Sequence, residues 1–338
     1  MYRYAIIGFG GLGKLLLTNL LRIEAERNGD IKLCAICGAD KETVLKNVNL
    51  NLGTVDISSI DFSDCGFYTD YKELIDKEKP DFVISALPTY LHEEVAVYVL
   101  NQGIHLFSEK PMALTKDGCD HMMAAAKKND KKLMIGHSVR FSPVYAKLRE
   151  YIKKDTFGKV YRYEFSRYSQ TPTWTWNNWI LDPALSGGCV MDMHIHDVDM
   201  INWLFGKPKS VFAIGTEKKL PMESVLAKYN YDDLVVTGNA DWSMPQKFPF
   251  SARSITNFEK ATAVITDGAL TVYTDEEVIV PEIENNNIHY LEVKTFVEMI
   301  LDGKNCDDIT TAESVRDSVC IALAEIESMK SGKEIIIA

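Results

Sequence analysis

The first part of the chain alternates short apolar runs with helical patterns. The runs YRYAIIG, IKLCAIC, DFVISALP, HLFSE and KLMIG are apolar almost throughout, which is typical of strands buried on both faces. The stretches between them, such as GKLLLTNLLRIEAERNG and LHEEVAVYVLNQG, repeat apolar residues at helical spacing. Strands that alternate with helices predict a doubly wound parallel sheet.

The pattern changes after residue 137. In KVYRYEFSRYS, Tyr161, Tyr163 and Phe165 alternate with polar residues, which indicates a strand with one exposed face. Further strand-like runs follow, from SVFAIGT to EEVIVPE, before helical patterns return in YLEVKTFVEMILDG and TAESVRDSVCIALAEIESMKSG. We therefore predict an α/β protein of two domains. Residues 1–137 form the parallel sheet, and residues 138–338 form an α+β domain with an open, mostly antiparallel sheet.

The composition limits the classes of partner. The chain has 37 Lys and Arg against 48 Asp and Glu, a formal net charge of −11, so we expect neither nucleic acid nor a membrane as its partner. No apolar run reaches the length of about 20 residues that crosses a bilayer, and the apolar start is too short for a signal peptide. Seven cysteines without regular spacing favour reduced thiols in the cytoplasm.

The stretch IIGFGGLGK contains a G-x-G-x-x-G pattern directly after a predicted strand and at the start of a helix. The first glycine allows a tight turn, the second lets the backbone approach a pyrophosphate, and the third lets helix and strand pack closely. This context predicts a Rossmann domain that binds NAD or NADP. The predicted cofactor contacts in this turn are Gly8, Phe9, Gly10, Gly11, Leu12 and Gly13.

The adenosine end of the cofactor site is less defined. The second strand ends in Cys37-Gly38-Ala39-Asp40-Lys41, so Gly38 stands where NAD-binding domains usually place an acid for the ribose hydroxyls. Either Asp40 reaches the ribose or Lys41 meets the 2′-phosphate of NADP, and Asp40 equally suits a surface turn. We assign Gly38 and Asp40 to the site and prefer NAD, because no arginine follows the strand.

The segment GGCVMDMHIHDVDMINWLFG is rich in Asp and His. On a helix, Asp192, His196 and Asp199 share one face, and His194 points elsewhere. On a strand, Asp192, His194 and His196 would align as metal ligands, but the apolar spacing favours a helix and no second ligand cluster exists. The alternatives are a catalytic Asp–His pair, a structural polar face and a metal site. We predict the pair and no metal, because a histidine near neutrality suits proton removal from an alcohol.

Together GFGGLG, ALPTYLHEEVAVYVL, SEKPMAL, GHSVRFSP and GGCVMDMHIHDVDMINWLFG resemble the Gfo/Idh/MocA family, the glucose-fructose oxidoreductase and inositol dehydrogenase group. The resemblance runs over nearly the whole chain. It implies that Lys110 of the Glu-Lys-Pro turn contacts the substrate hydroxyl and the nicotinamide, and that Asp192 and His196 are catalytic. A Glu-Lys-Pro alone is a common surface turn. Further cofactor contacts are assigned to Leu87, Pro88, Thr89, His92, Glu109, Lys110 and His137.

One departure from the family pattern concerns His194, which stands where many members have a small residue. This substitution suggests a narrower or differently polar sugar pocket. In the predicted chemistry, His196 takes the hydroxyl proton, Asp192 binds a neighbouring hydroxyl, and Lys110 stabilises the developing alkoxide. The sequence leaves open whether His196 or Lys110 is the final proton acceptor.

Other candidates lie near the substrate. The stretch TPTWTWNNWILDP supplies Trp174, Trp176 and Trp179, which suit either sugar stacking or core and oligomer packing. Arg140 of GHSVRFSP follows the last predicted strand of the first domain, so we place it near the substrate. His137 and Arg140 equally suit bracing of the domain junction. The predicted substrate contacts are Lys110, Arg140, Trp176, Trp179, Asp192 and His196.

These expectations define an NAD(P)-dependent oxidoreductase that acts on a secondary hydroxyl of a sugar, sugar acid or cyclitol. Family resemblance also implies a homodimer or homotetramer formed through the outer sheet face. Two alternatives remain: a glycosidase-like enzyme that oxidises its substrate transiently with a tightly held NAD, and a non-enzymatic dinucleotide or sugar sensor.

Overall fold

The computed structural model of the protein describes residues 1–44, 46–50, 53–173, 175–284 and 286–337. The chain divides into two compact units. The first comprises Met1–Gly136 and Asn287–Glu313, and the second comprises His137–Asn286 and Ser314–Ala338. No helix within the described ranges is both long enough and apolar enough to cross a membrane.

The first unit is a Rossmann fold. Its N-terminal elements are β1 (Tyr2–Ile7), α1 (Gly11–Glu26), β2 (Ile31–Cys37), α2 (Lys41–Val44), β3 (Val48–Leu50), β4 (Gly53–Val55), β5 (Gly66–Tyr68), α3 (Tyr71–Glu78), β6 (Phe82–Ser85), α4 (His92–Asn101), β7 (His105–Glu109), α5 (Lys116–Lys128) and β8 (Leu133–Gly136). The six-stranded sheet has the order β5-β2-β1-β6-β7-β8, with every pair parallel. The centres of all these strands except β5 are buried, as their apolar runs predict.

The second unit is built on a larger sheet. Its elements are α6 (Pro143–Lys153), β9 (Val160–Gln170), α7 (Pro183–Ser186), α8 (Ile195–Phe205), β10 (Ser210–Ile214), β11 (Ser224–Asn230), β12 (Val235–Met244), β13 (Ser251–Phe258), β14 (Thr262–Thr266), β15 (Ala269–Tyr273), β16 (Val278–Ile279), most of α10 (Ala312–Ser331) and β17 (Ile335–Ile336). The nine strands have the order β16-β15-β14-β13-β9-β12-β11-β10-β17. Only the β9–β12 pair among them is parallel. The predicted fold class is confirmed.

The helix α9 (Ile288–Leu301) belongs to the first unit. The ring of Phe296 lies 5.9 Å from that of Phe82 and 5.8 Å from that of Phe107, so the apolar face of α9 covers the parallel sheet. The sequence-based division at 137/138 assigns this segment to the second domain instead. The helical pattern marks an apolar face, but it does not identify the sheet that the face covers.

Candidate active site

The glycine turn between β1 and α1 has the geometry of a phosphate cradle. Gly8 has a φ of +89°, and a Cβ on it would lie 2.5 Å from the carbonyl oxygen of Ala86. A Cβ on Gly13 would lie 2.2 Å from the carbonyl oxygen of Gly8, whereas one on Gly10 would meet nothing within 4 Å. Gly10 caps α1 without a side chain, so the first amides of the helix are available to a phosphate. The turn therefore fits a dinucleotide.

The rest of this turn is packed around the glycines. The ring of Phe9 is buried and meets Phe62 edge-on, with 6.4 Å between the ring centroids, so its side chain is part of the packing around the turn. Gly11 and Leu12 are half-buried in the first turn of α1.

The end of β2 carries the candidate ribose contacts. The amide of Gly38 donates to the carbonyl of Tyr68 at 3.0 Å, which fixes the backbone there. Asp40 and Lys41 are both exposed, and the Lys41 ammonium lies 4.8 Å from the Phe67 ring centroid. Neither side chain is buried in the fold, so both sequence-based alternatives for the ribose or its phosphate stay open.

His92 braces the loops at the carboxyl edge of the sheet. Its side chain is 1% exposed, with Nδ1 2.7 Å from the carbonyl oxygen of Pro111 and Nε2 2.9 Å from that of Leu87. Burial lowers the pKa of this imidazole. Both ring nitrogens lie against main-chain carbonyls, and the neutral imidazole can donate to one of them. The predicted contact of His92 with the cofactor stays a prediction. Pro88 and Thr89 lie within the loop that His92 ties down, and Thr89 is itself buried.

The Glu-Lys-Pro turn follows β7. Lys110 is half-buried, and its amide donates to Oε2 of Glu109 at 3.2 Å. Glu109 is buried, and its Oε1 has no hydrogen-bond partner. Burial, reinforced by the negative charge of Glu292 on α9, raises the pKa of Glu109 to about 8. Glu292 in turn accepts from, or donates to, Nδ1 of His289 at 2.9 Å. Glu109 therefore keeps its proton near neutral pH and adds no negative charge beside Lys110.

Sequence reasoning missed His289 and Glu292. They lie far along the chain from the Glu-Lys-Pro turn, in a helix that the sequence-based division placed in the other domain. The sequence signal that could have found them is Glu292, an acidic residue at a position of the helix where the apolar spacing predicts burial.

The Asp/His segment exposes the two residues predicted to be catalytic. A π-helix spans Val190–His194 and leads directly into α8. In the stretch 186–203, all of which the structure describes, every residue is buried except Asp192 and His196, which are half-buried. A short π-helical turn within a helix is frequent at functional sites. The segment therefore presents this pair and almost nothing else.

Arg140 has a different environment from the predicted substrate contact. Its guanidinium is 2% exposed and donates from Nε and Nη2 to the two carboxylate oxygens of Asp199, both at 2.7 Å. Ser318 donates to Asp199 at 2.8 Å, and Nδ1 of His137 lies 3.3 Å from it. Burial alone would raise the pKa of Asp199, but the charges of Arg140 and His137 hold it below its usual value.

This cluster describes the surroundings of three residues considered in the sequence analysis. Arg140 is buried and donates to Asp199, and His137 is buried against the same carboxylate. Their contacts to substrate and cofactor stay predictions. Asp199 does not share an accessible face with Asp192 and His196, because Arg140 and Ser318 cover it.

The tryptophans predicted to contact substrate lie on a 3₁₀ segment, Trp176–Leu181. Trp176 is 62% exposed, and Trp179 is half-buried. Asn177 and Asn178 both adopt left-handed backbone conformations with φ of 51°, which asparagine tolerates better than most residues. Trp174 lies outside the described residues. The exposed indole of Trp176 supplies a flat apolar surface that suits stacking against a sugar ring.

No three or more His, Cys, Asp or Glu side chains in the described part of the chain are arranged to hold a metal ion. None of the seven cysteines, all of which the structure describes, forms a disulfide, and most are buried. The chemistry that the residues of the first unit can supply is therefore dinucleotide binding at the glycine turn and a positive charge at Lys110. The residues of the second unit can supply acid–base groups at Asp192 and His196.

The fold and the glycine turn define a dinucleotide-binding α/β protein. Residues 2–137 match the Gfo/Idh/MocA oxidoreductase family model, described as an NAD-binding Rossmann fold, and residues 145–270 match the C-terminal domain of the same family. The chain belongs to the Gfo/Idh/MocA family of oxidoreductases, which confirms the resemblance seen in the sequence.

Individual relatives are similar over part of their length. Myo-inositol 2-dehydrogenase of Thermotoga maritima is 30% identical over 216 residues, covering 63% of this chain and 58% of the relative. The 2,7-anhydro-N-acetylneuraminate hydratase of Mediterraneibacter gnavus is 29% identical over 216 residues, covering 63% of this chain and 52% of the relative. The aligned region thus spans a little over half the length of these curated relatives.

Solved structures extend the likeness to the whole chain. A levoglucosan dehydrogenase in complex with NADH and levoglucosan superimposes with a TM-score of 0.83 at 17% identity, covering 99% of both chains. At this identity the likeness establishes the fold.

Proposed function

We propose that the protein is an NAD(P)-dependent oxidoreductase that transfers a hydride between the nicotinamide and a secondary hydroxyl of a sugar, sugar acid or cyclitol. The observation that carries the proposal is the selective exposure of Asp192 and His196 in an otherwise buried segment. A structural helix face does not require two titratable residues at its only accessible positions. The open cradle at Gly10 supports the cofactor part of the proposal.

The residues would divide the chemistry between them. When bound, the nicotinamide accepts or supplies the hydride. His196 takes the hydroxyl proton as general base, because an imidazole titrates near neutral pH. Asp192 binds a neighbouring hydroxyl and favours the protonated imidazole once the proton has moved. Lys110 places a positive charge at the developing alkoxide and stabilises it.

The first test is binding of the cofactor. Protein shown to be free of nucleotide is titrated with NADH and with NADPH, and nicotinamide fluorescence is recorded. We expect micromolar binding of at least one, with NAD preferred because no arginine follows β2. Asp40→Ala should weaken NADH binding, and Lys41→Ala should weaken only NADPH binding. Absence of binding to either cofactor would refute the proposed function.

The second test is turnover of a panel of polyols, sugar acids and cyclitols with the preferred oxidised cofactor at alkaline pH. We expect His196→Ala to lower turnover by roughly 10²–10⁴-fold, the usual scale for a general acid–base group, with cofactor affinity nearly unchanged. His121→Ala, an exposed histidine on α5, is the matched control and should leave turnover unchanged. Equal activity of the two variants removes His196 from the mechanism.

A second candidate is an enzyme that holds its cofactor tightly and oxidises its substrate only transiently. The similarity to a relative named a hydratase favours this candidate, because addition or loss of water changes no net redox state. Such an enzyme would be purified with nucleotide bound and would consume its substrate without accumulating reduced cofactor.

A non-enzymatic sensor makes a different prediction: the double variant Lys110→Ala, His196→Ala keeps its biological output.

The second sheet supports a further proposal, that the protein forms a homodimer or homotetramer through its outer face. Phe212, Ile214 and Leu226 are each at least 40% exposed, and Ile214 lies directly opposite Leu226 in the β10–β11 pair. Leu226→Asp should lower the mass measured by light scattering after gel filtration.

We also propose a cytoplasmic location. The absence of disulfides among the seven described cysteines agrees with it, because thiols stay reduced in the cytoplasm.

A further inference from the structure

A chain of buried polar side chains in the second unit includes His194. We call it the His194 network, and its members are Arg167 on β9, Asp197 on α8, His194 in the π-helix, Tyr229 on β11 and Glu325 on α10. Each is less than a tenth exposed, and Asp197, His194 and Glu325 are fully buried. The network therefore links the segment that carries Asp192 and His196 to two strands and the last helix.

The contacts run without interruption through the network. Nε of Arg167 donates to Oδ1 of Asp197 at 2.8 Å, and Oδ2 of Asp197 lies 3.0 Å from Nδ1 of His194. Nε2 of His194 is 3.1 Å from the hydroxyl of Tyr229, which donates to Oε1 of Glu325 at 2.6 Å. The second oxygen of Glu325 is 3.8 Å from Nε2.

The donor and acceptor roles place the protons. The Asp197 carboxylate only accepts, so Nδ1 of His194 carries a hydrogen. The 2.6 Å distance from Tyr229 to Glu325 is typical of a hydroxyl that donates to a carboxylate. The Tyr229 oxygen is then left to accept from Nε2, and His194 is an imidazolium. The charges of Arg167 and His194 balance those of Asp197 and Glu325, as burial of charge requires.

The electrostatics of the site agree with this arrangement. Burial opposes a charge on His194, but the negative charges of Glu325 and Asp197 outweigh it and raise its pKa. Burial raises the pKa of Glu325 to about 7, while the charge of His194 and the hydrogen bond from Tyr229 oppose this rise and favour the carboxylate. Among the described residues, Tyr145 of α6 and Tyr163 of β9 also interact electrostatically with Arg167 and Asp197. Cys189 interacts in the same way with Asp197, and Tyr231 with Tyr229.

The surrounding backbone is shaped to admit this ring. Gly238 lies inside β12, where glycine is otherwise unfavourable. A Cβ on it would lie 2.8 Å from Cε1 of His194 and 3.0 Å from the Tyr229 hydroxyl. The ring therefore packs against a strand backbone and does not enter a substrate pocket, contrary to the pocket role suggested by the sequence.

We propose that His194 is a positioning residue, a buried imidazolium that ties the π-helical turn to β11 and α10 and thereby fixes Asp192 and His196. Its protonation state and its effect on His196 are independent of what the enzyme acts on. Only the effect on turnover rests on the proposed function.

The protonation state is tested by nitrogen NMR of histidine-labelled protein. His194→Gln identifies the His194 signals by their loss. We expect both ring nitrogens of His194 to carry hydrogen at pH 7.5, where an ordinary histidine with a pKa near 6.5 is neutral. Glu325→Gln removes the counter-charge with little change of shape, and His194 should then become neutral at that pH. A neutral His194 in the unmodified protein would overturn the proposal.

The positioning role is tested on His196 in the same spectra. In Glu325→Gln the titration midpoint of His196 should move, while that of the exposed His121 stays unchanged. Glu327→Gln, an exposed residue of the same helix, is the matched control and should move neither. An unmoved His196 midpoint would overturn the positioning role, whether or not a substrate has been found.

Turnover supplies the last measurement. We expect His194→Gln to lower kcat about 10- to 100-fold, the scale of a small misplacement of reacting groups, with the Kd for reduced cofactor unchanged. Glu325→Gln should lose activity as pH rises and regain it at low pH, where His194 is again protonated. The double variant His194→Gln, Glu325→Gln should lose less kcat than the product of the two single losses. If the losses of the two single variants instead multiply in the double variant, and the pH profile of Glu325→Gln is not shifted, the role of His194 is purely structural. That result would refute the proposal.

Discussion

The buried pair formed by Arg140 and Asp199 distinguishes the sequence-based role of Arg140 from the structural one. Arg140→Met keeps the apolar stem but leaves the Asp199 carboxylate buried with only Ser318 and His137 nearby. Removing one partner of a buried ion pair costs about 3–5 kcal/mol. For a unit of 150–250 residues, each kcal/mol lowers Tm by about 2–4 °C. We therefore expect the second unit to melt about 6–20 °C lower.

Differential scanning calorimetry measures this change directly. The matched control is Arg162→Met on β9, whose ion pair with Glu164 is exposed and contributes about 0–1 kcal/mol. The double variant Arg140→Met, Asp199→Leu should recover part of the loss, because it removes the unpaired charge. A Tm equal to that of Arg162→Met, together with a raised KM for substrate, would refute the structural role and restore the sequence-based one.

Other predictions concern separate parts of the chain. Burial raises the pKa of Glu109 to about 8, so the folded chain keeps a proton that the unfolded chain releases above about pH 4.3, and stability falls as pH rises between those values. Glu109→Gln should therefore raise Tm at pH 8 and not at pH 4, and equal gains at both would contradict this reasoning. Trp176→Ala should raise KM for a sugar with Tm almost unchanged, because the indole is 62% exposed; steady-state kinetics with calorimetry checks it, and an unchanged KM excludes stacking. Gly10→Ala should weaken cofactor binding at least about tenfold without lowering Tm, because its methyl would enter open space that a phosphate needs. Gly13→Ala should lower both the cofactor affinity and Tm, because its methyl would meet the carbonyl of Gly8 at 2.2 Å. Cofactor titration and calorimetry on the Gly10 and Gly13 variants test this difference.

The features that the sequence predicted well are local. The spacing of Gly8, Gly10 and Gly13 reports backbone needs within one turn, and the apolar runs report burial strand by strand. The two positions singled out from the helical spacing, Asp192 and His196, are the half-buried positions of the stretch 186–203, and their pairing stays a prediction.

The features that the sequence did not predict depend on partners far along the chain. The carboxylate that holds Arg140 comes from Asp199, 59 residues away, and no local pattern connects them. The π-helix at Val190–His194 has the same apolar spacing as an ordinary helix. His194 was expected to lie off the face shared by Asp192 and His196, and its ring contacts Asp197 and Tyr229. Its partners Tyr229 and Glu325 could not be identified from the sequence, because sheet pairing and helix packing bring them there.

The placement of α9 in the first unit has a consequence for the order of synthesis. A ribosome completes the parallel sheet at Gly136, but the helix that covers Phe82 and Phe107 begins only at Ile288. At typical rates of about 5–20 residues per second, roughly 8 to 30 seconds separate the two events. During that interval the nascent cofactor domain has an uncovered apolar face, which is the kind of surface that chaperones bind. A chain truncated before α9 keeps every glycine of the cradle and still lacks a finished core around it.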